Sequence, residues 1–184
     1  MLQEFRYNCE NQIIIHGVFL SHHILKVDAK ARVKLTNISC RRLVHVDRNL
    51  PREDIWRYAH LAPEVLANPP AAYTPNAEMY SAGILIWEMW TQKQAFLEEI
   101  FAVDQPLDTL DKFVAHIERK RPSLEMFHYP DSSPTSPQAE KWLGYMQPCW
   151  AESERLSCKA LLQLIEGSGS GDALQLKEEH YGSN

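Results

Sequence analysis

Few residues in this chain have both the type and the company to do chemistry. His22 and His23 are adjacent, four cysteines (Cys9, Cys40, Cys149 and Cys158) are scattered, and Arg41, Arg42, Arg48 and Arg52 crowd one stretch. A metal reading of the histidine pair fails on geometry, because adjacent residues do not converge on one ion and no Cys or carboxylate stands at ligand spacing. The cysteines show no C-x-x-C pairing and are too few for a secreted disulfide framework, so reduced thiols in the cytosol are expected. The arginines could receive a phosphate, but Asp47, Glu53 and Asp54 lie among them, and a solvated loop is the simpler reading. Between Cys40 and Pro63 there is no Ser or Thr, which excludes a Ser/Thr phosphoswitch there and leaves Tyr58 as the only hydroxyl.

Composition narrows the field further. With 184 residues, 45% hydrophobic and 23% charged, the chain is globular and long enough for one domain with a real core. Its 24 acidic and 19 basic side chains give a net charge of −5, with no basic block to follow a phosphate backbone, so nucleic acid is not an expected partner. The 7 glycines never form G-x-G-x-x-G or another phosphate cradle. No apolar run reaches the roughly 18 residues of a membrane helix, since Glu88 interrupts Ala82–Trp90, and Met1–Arg6 lacks the order of a signal peptide.

The elements that must position these residues are mostly helical. Leu2–Cys9 reads as the end of a helix, and Ile24–Val27 and Arg32–Thr36 as the two strands of a small hairpin across Asp28–Ala31. Residues 37–60 show neither helical nor strand period and read as a loop. Thr74-Pro75 is a helix start, Thr74 as N-cap and Pro75 where a missing N–H costs nothing. The helix that follows, to about Thr91, is apolar nearly all round, which predicts a buried central helix. Leu107–Arg119 spaces Leu110, Phe113, Val114 and Ile117 as an amphipathic surface helix. Asp131–Pro137 is a turn region, Gln138–Tyr145 and Lys159–Glu166 are two more helices about the Pro148-Cys149-Trp150 corner, and the stretch after Gly167 is a polar tail. Trp87, Trp90, Trp142 and Trp150, on apolar helices, are expected in the core.

Five landmarks in order over residues 13–166 resemble the C-terminal lobe of a protein kinase. Ala62-Pro63-Glu64 in RYAHLAPEVL resembles the A-P-E motif that closes the activation segment, and AEMYSAGILIWEMW from Ala77 resembles the kinase central helix. HGVFLSHHIL from His16 stands in the place of the catalytic loop, VKLTNIS from Val33 in that of the strand leading to D-F-G, and RPSL with PCWAESERLSCKALLQLI in that of the last helices. The HG, RPSL and CWAES pieces are also similar, more loosely, to the kinase-homology domains of receptor guanylyl cyclases.

The resemblance implies a mainly α (α+β) fold: a C-lobe over 1–166, built as a helical bundle around a buried central helix with a small β-hairpin, and a flexible tail over 167–184. Nothing in the chain resembles an N-lobe's glycine-rich loop, strand lysine or pairing glutamate. It also implies that the catalytic machinery is degenerate. Laid on the family pattern, Gly17 replaces the catalytic-loop arginine, Val18 the catalytic aspartate and His23 the metal-binding asparagine. Asn37, Ile38 and Ser39 take the places of D-F-G. Phosphoryl transfer needs a carboxylate to accept the hydroxyl proton and metals to neutralise phosphate charge. Val18 can do neither, and a general base alone is worth about 10²–10⁴-fold. His23 is a poor ligand for Mg²⁺, and Asn37 offers one neutral carbonyl, so ATP and Mg²⁺ are implied only weakly. The implied function is a catalytically inactive kinase-like domain in the cytoplasm that acts as a protein-binding scaffold or allosteric regulator, with another kinase or kinase-like domain among its possible partners. The alternative is an ATP-dependent kinase with non-standard residues or part of a longer active chain. The resemblance also pairs Glu64 with Arg155, as the anchor that holds the Ala62-Pro63-Glu64 segment on the lobe.

Overall fold

In the computed structural model the described residues are 25–27, 33–35, 46–68, 74–125, 136–152 and 154–167. They are mainly helical. Leu25–Val27 (β1) pairs antiparallel with Val33–Leu35 (β2), Leu25 opposite Leu35 and Val27 opposite Val33. The helices are α1 (Pro63–Ala67), α2 (Pro75–Thr91), α3 (Leu97–Ile100), α4 (Leu110–Arg119), α5 (Pro137–Met146) and α6 (158–167), with 3₁₀ turns at Arg52–Tyr58 and Gln147–Trp150.

α2 is the axis. Its N-cap Thr74 accepts a hydrogen bond from the Ala77 N–H, Pro75 follows at the first turn, and every residue from Met79 to Trp87 is buried. A helix so uniformly apolar cannot rest on a surface, so other elements close on it. α5 and the Gln147–Trp150 turn pack directly against it. Gly83 permits the approach: a Cβ there would lie 3.1 Å from Cys149 Cβ and 3.3 Å from the Met146 carbonyl oxygen. The core is completed by Ile55, Leu61, Leu66, Phe96, Ile100, Phe113 and Ile117.

α4 starts at Leu110 rather than Leu107, because Thr109 takes the N-cap role and accepts from the Lys112 N–H. Ser136 does the same for α5 by accepting from the Ala139 N–H. The stretch 37–60, read as loop, contains a 3₁₀ helix over Arg52–Tyr58. Tertiary contacts impose it: Ile55 is fully buried, and Arg52 donates from Nε to the Ile100 carbonyl at 2.8 Å. Cys149 is a free buried thiol, whereas Cys158 is disulfide-bonded, which corrects the expectation of reduced thiols at that position. Among the described residues no helix is long and apolar enough to cross a membrane.

Candidate functional site

The described residues that converge most tightly come from four separate stretches. α1 begins at Pro63, with Ala62 and Pro63 buried and Glu64 in its first turn, where a carboxylate favours the helix N-terminus. From 91 residues further along the chain Arg155 reaches Glu64, with NH1 2.5 Å from Oε1 and NH2 3.1 Å from Oε2. A two-pronged contact of this kind fixes orientation as well as distance. The same guanidinium donates to the carbonyls of Asn76 at 3.0 Å and Ala151 at 3.2 Å. It thereby joins α1, the start of α2 and the segment leading to α6.

Beneath this pair lies Tyr80, fully buried on α2. Arg155 and Arg121 stand over its ring at 5.2 and 5.4 Å, so two cations share one aromatic face system. Arg121 is fixed in turn by its Nε–H bond to the Trp150 carbonyl at 2.9 Å. Burial pushes the Tyr80 hydroxyl well above its ordinary value, outweighing the two arginines that favour ionisation. Among the described residues its oxygen has no hydrogen-bond partner. For Glu64 the balance runs the other way. Burial raises its pKa, but the Arg155 hydrogen bonds, its own backbone N–H and the charges of Arg155 and Arg121 outweigh this and hold the carboxyl below its usual range.

A second junction lies at the other end of the same segment. His60 is buried, with Nε2 2.9 Å from Glu88 Oε2, while Glu88 Oε1 accepts from the Ala95 N–H at 2.9 Å. The His60 carbonyl accepts from Ser81 Oγ at 2.5 Å. Residues 60–64 are therefore fixed at both ends onto α2, by His60 to Ser81 and Glu88 and by Glu64 through Arg155.

Of the site residues expected from sequence, the structure brings Ala62, Pro63, Glu64 and Arg155 into this one junction. Gly17, Val18, His23, Asn37, Ile38 and Ser39 lie outside the described residues. Sequence reasoning missed Tyr80, Arg121, His60 and Glu88. Tyr80 is hidden in an apolar helix, and Glu88 was read only as the charge that interrupts an apolar run; an acid inside such a run was the signal, because a buried carboxylate needs a partner. The arrangement clamps backbone, with Arg155 on the Asn76 and Ala151 carbonyls and Ser81 on that of His60. Among the described residues no three His, Cys, Asp or Glu side chains gather as a metal site.

No protein-family model matches the chain. The chain is similar to the dual specificity protein kinase shkA of Dictyostelium discoideum, 28% identical over 149 residues. The match takes in 76% of this chain but 24% of that kinase, so the chain spans about a quarter of the relative's length. The similarity is to a protein kinase, and it is distant.

Proposed function

We propose that the chain is a catalytically inactive protein kinase-like domain, a C-terminal lobe over residues 1–166 with a polar tail over 167–184, which acts by binding other proteins as a scaffold or allosteric regulator. What supports this reading is the resemblance, which lays Val18 and Asn37 on positions that phosphoryl transfer requires to be carboxylates, together with the distant similarity to a kinase. The Glu64–Arg155 junction supports it. A clamp that holds residues 60–64 on the central helix needs no catalytic residue, so a binding surface outlives the chemistry. The β1–β2 pairing supports a small β-hairpin just ahead of Asn37. Cytoplasmic location and a kinase or kinase-like partner belong to the same proposal.

The second reading, an ATP-dependent kinase with non-standard residues or part of a longer active chain, is favoured by one observation: the similar protein from Dictyostelium discoideum is itself a dual specificity kinase. A phosphotransfer assay with ATP and either Mg²⁺ or Mn²⁺ separates the two. Expected is no transfer above background. Robust phosphorylation that disappears in Asn37→Ala would replace the first reading with the second.

A further inference from the structure

The two described cysteines have opposite chemistry. Cys149 is fully buried, its Sγ donates to the Tyr145 carbonyl at 3.0 Å, and burial pushes its thiol up to about 12, so it is closed to thiols and oxidants alike. Cys158 is disulfide-bonded. The chain has four cysteines and Cys149 is free, so the other half of the bond is Cys9 or Cys40, both outside the described residues.

Cys158 opens α6. Ser157 is the N-cap: its Oγ accepts from the Ala160 N–H at 3.2 Å and its carbonyl from the Leu161 N–H at 2.9 Å. Cys158 therefore takes the first helical position, where unpaired backbone N–H groups favour the thiolate that reduction releases. It is only partly buried against the core, between the exposed Ser157 and Lys159. A sulfur that can be reached and leaves as a favoured thiolate makes the bond open to exchange. The bond also sits at a mechanical junction. Three residues earlier Arg155 grips Glu64 and the Asn76 and Ala151 carbonyls, and the Leu156 N–H bonds to the Pro148 carbonyl at 2.8 Å. Cys9 and Cys40 both precede Val46, so the bond closes α1 to α5 into one covalent ring and restricts the unfolded chain.

We propose that the Cys158 disulfide is a reversible redox latch, opened by a low-molecular-weight thiol and closed by the corresponding disulfide, which sets how firmly the segment carrying Arg155 is held. Opening runs by exchange. A glutathione thiolate attacks the sulfur of the partner cysteine, the S–S bond breaks, and Cys158 leaves as a thiolate and takes up a proton. A second glutathione thiolate displaces the first from the mixed disulfide. Two glutathione thiols thus become one glutathione disulfide, and the two electrons they give up leave two thiols on the protein. Closing is the reverse, with glutathione disulfide as oxidant. The latch does not depend on whether the chain transfers phosphate. Only its reductant rests on the cytoplasmic location proposed above, where disulfides are transient or redox-sensing.

The full chain is equilibrated in glutathione buffers from oxidised to reduced, quenched with N-ethylmaleimide, then reduced, alkylated with iodoacetamide and mapped by peptide mass. Oxidised chain should show Cys158 joined to Cys9 or Cys40, reduced chain should show both thiols labelled without denaturant, and Cys149 should react only after unfolding. Reduction should lower the melting temperature by about 5 °C or more. Cys158→Ser should melt at that lower temperature in either buffer, and hydrogen exchange at Leu156 and Leu161 should quicken when the bond opens. A free Cys158 in oxidised chain, a bond to Cys149 or to a second copy, or a melting temperature that reduction leaves unchanged would each overturn the latch. A bond that yields only in denaturant would overturn the latch and the cytoplasmic location together. The non-catalytic reading would survive all of these, since the phosphotransfer assay alone decides it.

Discussion

Arg155 uses its guanidinium almost completely, binding two carboxylate oxygens, two backbone carbonyls and the face of Tyr80. Its side chain is 7% exposed while that of Glu64 is 41% exposed, so Glu64 keeps some water if its partner is lost. Removing one partner of a buried pair costs about 3–5 kcal/mol, and the half-open carboxylate places Arg155→Ala near the lower end. The pair of Arg48 with Asp111, exposed by 52% and 79%, is worth about 1 kcal/mol or less. Thermal melts should therefore show a large drop for Arg155→Ala and almost none for Arg48→Ala; equal small drops would mean that Arg155 is not a clamp. Glu64 also gives the clamp a pH dependence. Its native pKa lies below the ordinary 4.5, so its stabilising contribution is present above pH 4.5 and is lost as the pH falls through the native value. Glu64→Gln should flatten that acid limb, read as melting temperature against pH. At this scale Glu64 and Arg155 could be named from the motif pattern, whereas Tyr80 and His60 could not. A buried tyrosine in an apolar helix looks like any core aromatic, and the partner of His60 lies 28 residues away.

At the scale of elements, the helices that declared themselves were those with periodicity and a cap. Thr74-Pro75 marks the start of α2 by local chemistry alone, and the spacing of Leu110, Phe113 and Ile117 marks α4. The pieces that escaped are short: α1 and α3 have five and four residues, and the Arg52–Tyr58 turn has seven. None is long enough to show a period, and each is held by contacts distant in sequence, as Arg52 is by the Ile100 and Ala102 carbonyls. Gly83 decides how closely two elements meet. Alanine in place of a mid-helix glycine normally gains about 0.5–1 kcal/mol. Here the new methyl would press on the Met146 carbonyl at 3.3 Å and Cys149 Cβ at 3.1 Å, and the backbone oxygen cannot rotate away. Overpacking of this kind costs about 1–3 kcal/mol, so Gly83→Ala should lower stability on balance by about 1 kcal/mol, measured by urea denaturation. A stabilised variant would show that α5 can move off α2 at little cost.

For the whole molecule, stability on the alkaline side is set by groups sealed between α2 and its neighbours. Burial raises the Cys149 thiol to about 12, and its Sγ donates to the Tyr145 carbonyl at 3.0 Å. Tyr80, fully buried on the same helix, is raised in the same direction by the same cause, against the pull of Arg121 and Arg155. Both are neutral when protonated, so the native state holds these protons to higher pH than the unfolded chain does. As the pH passes 9.0, the ordinary thiol value, and then 10.0, the ordinary phenol value, the unfolded state loses protons that the native state keeps. Stability must then fall with rising pH, because the slope follows the protons bound in the unfolded state minus those bound in the native. Cys149→Ala should delay that decline at the price of a small cavity, and alkylation of Cys149, located by peptide mapping, should proceed only through opening of the α2, α5 and Gln147–Trp150 layer. If iodoacetamide modifies Cys149 at pH 8 as fast as it does in urea, the thiol is not sealed and the packing of that layer on the central helix is looser than its contacts require.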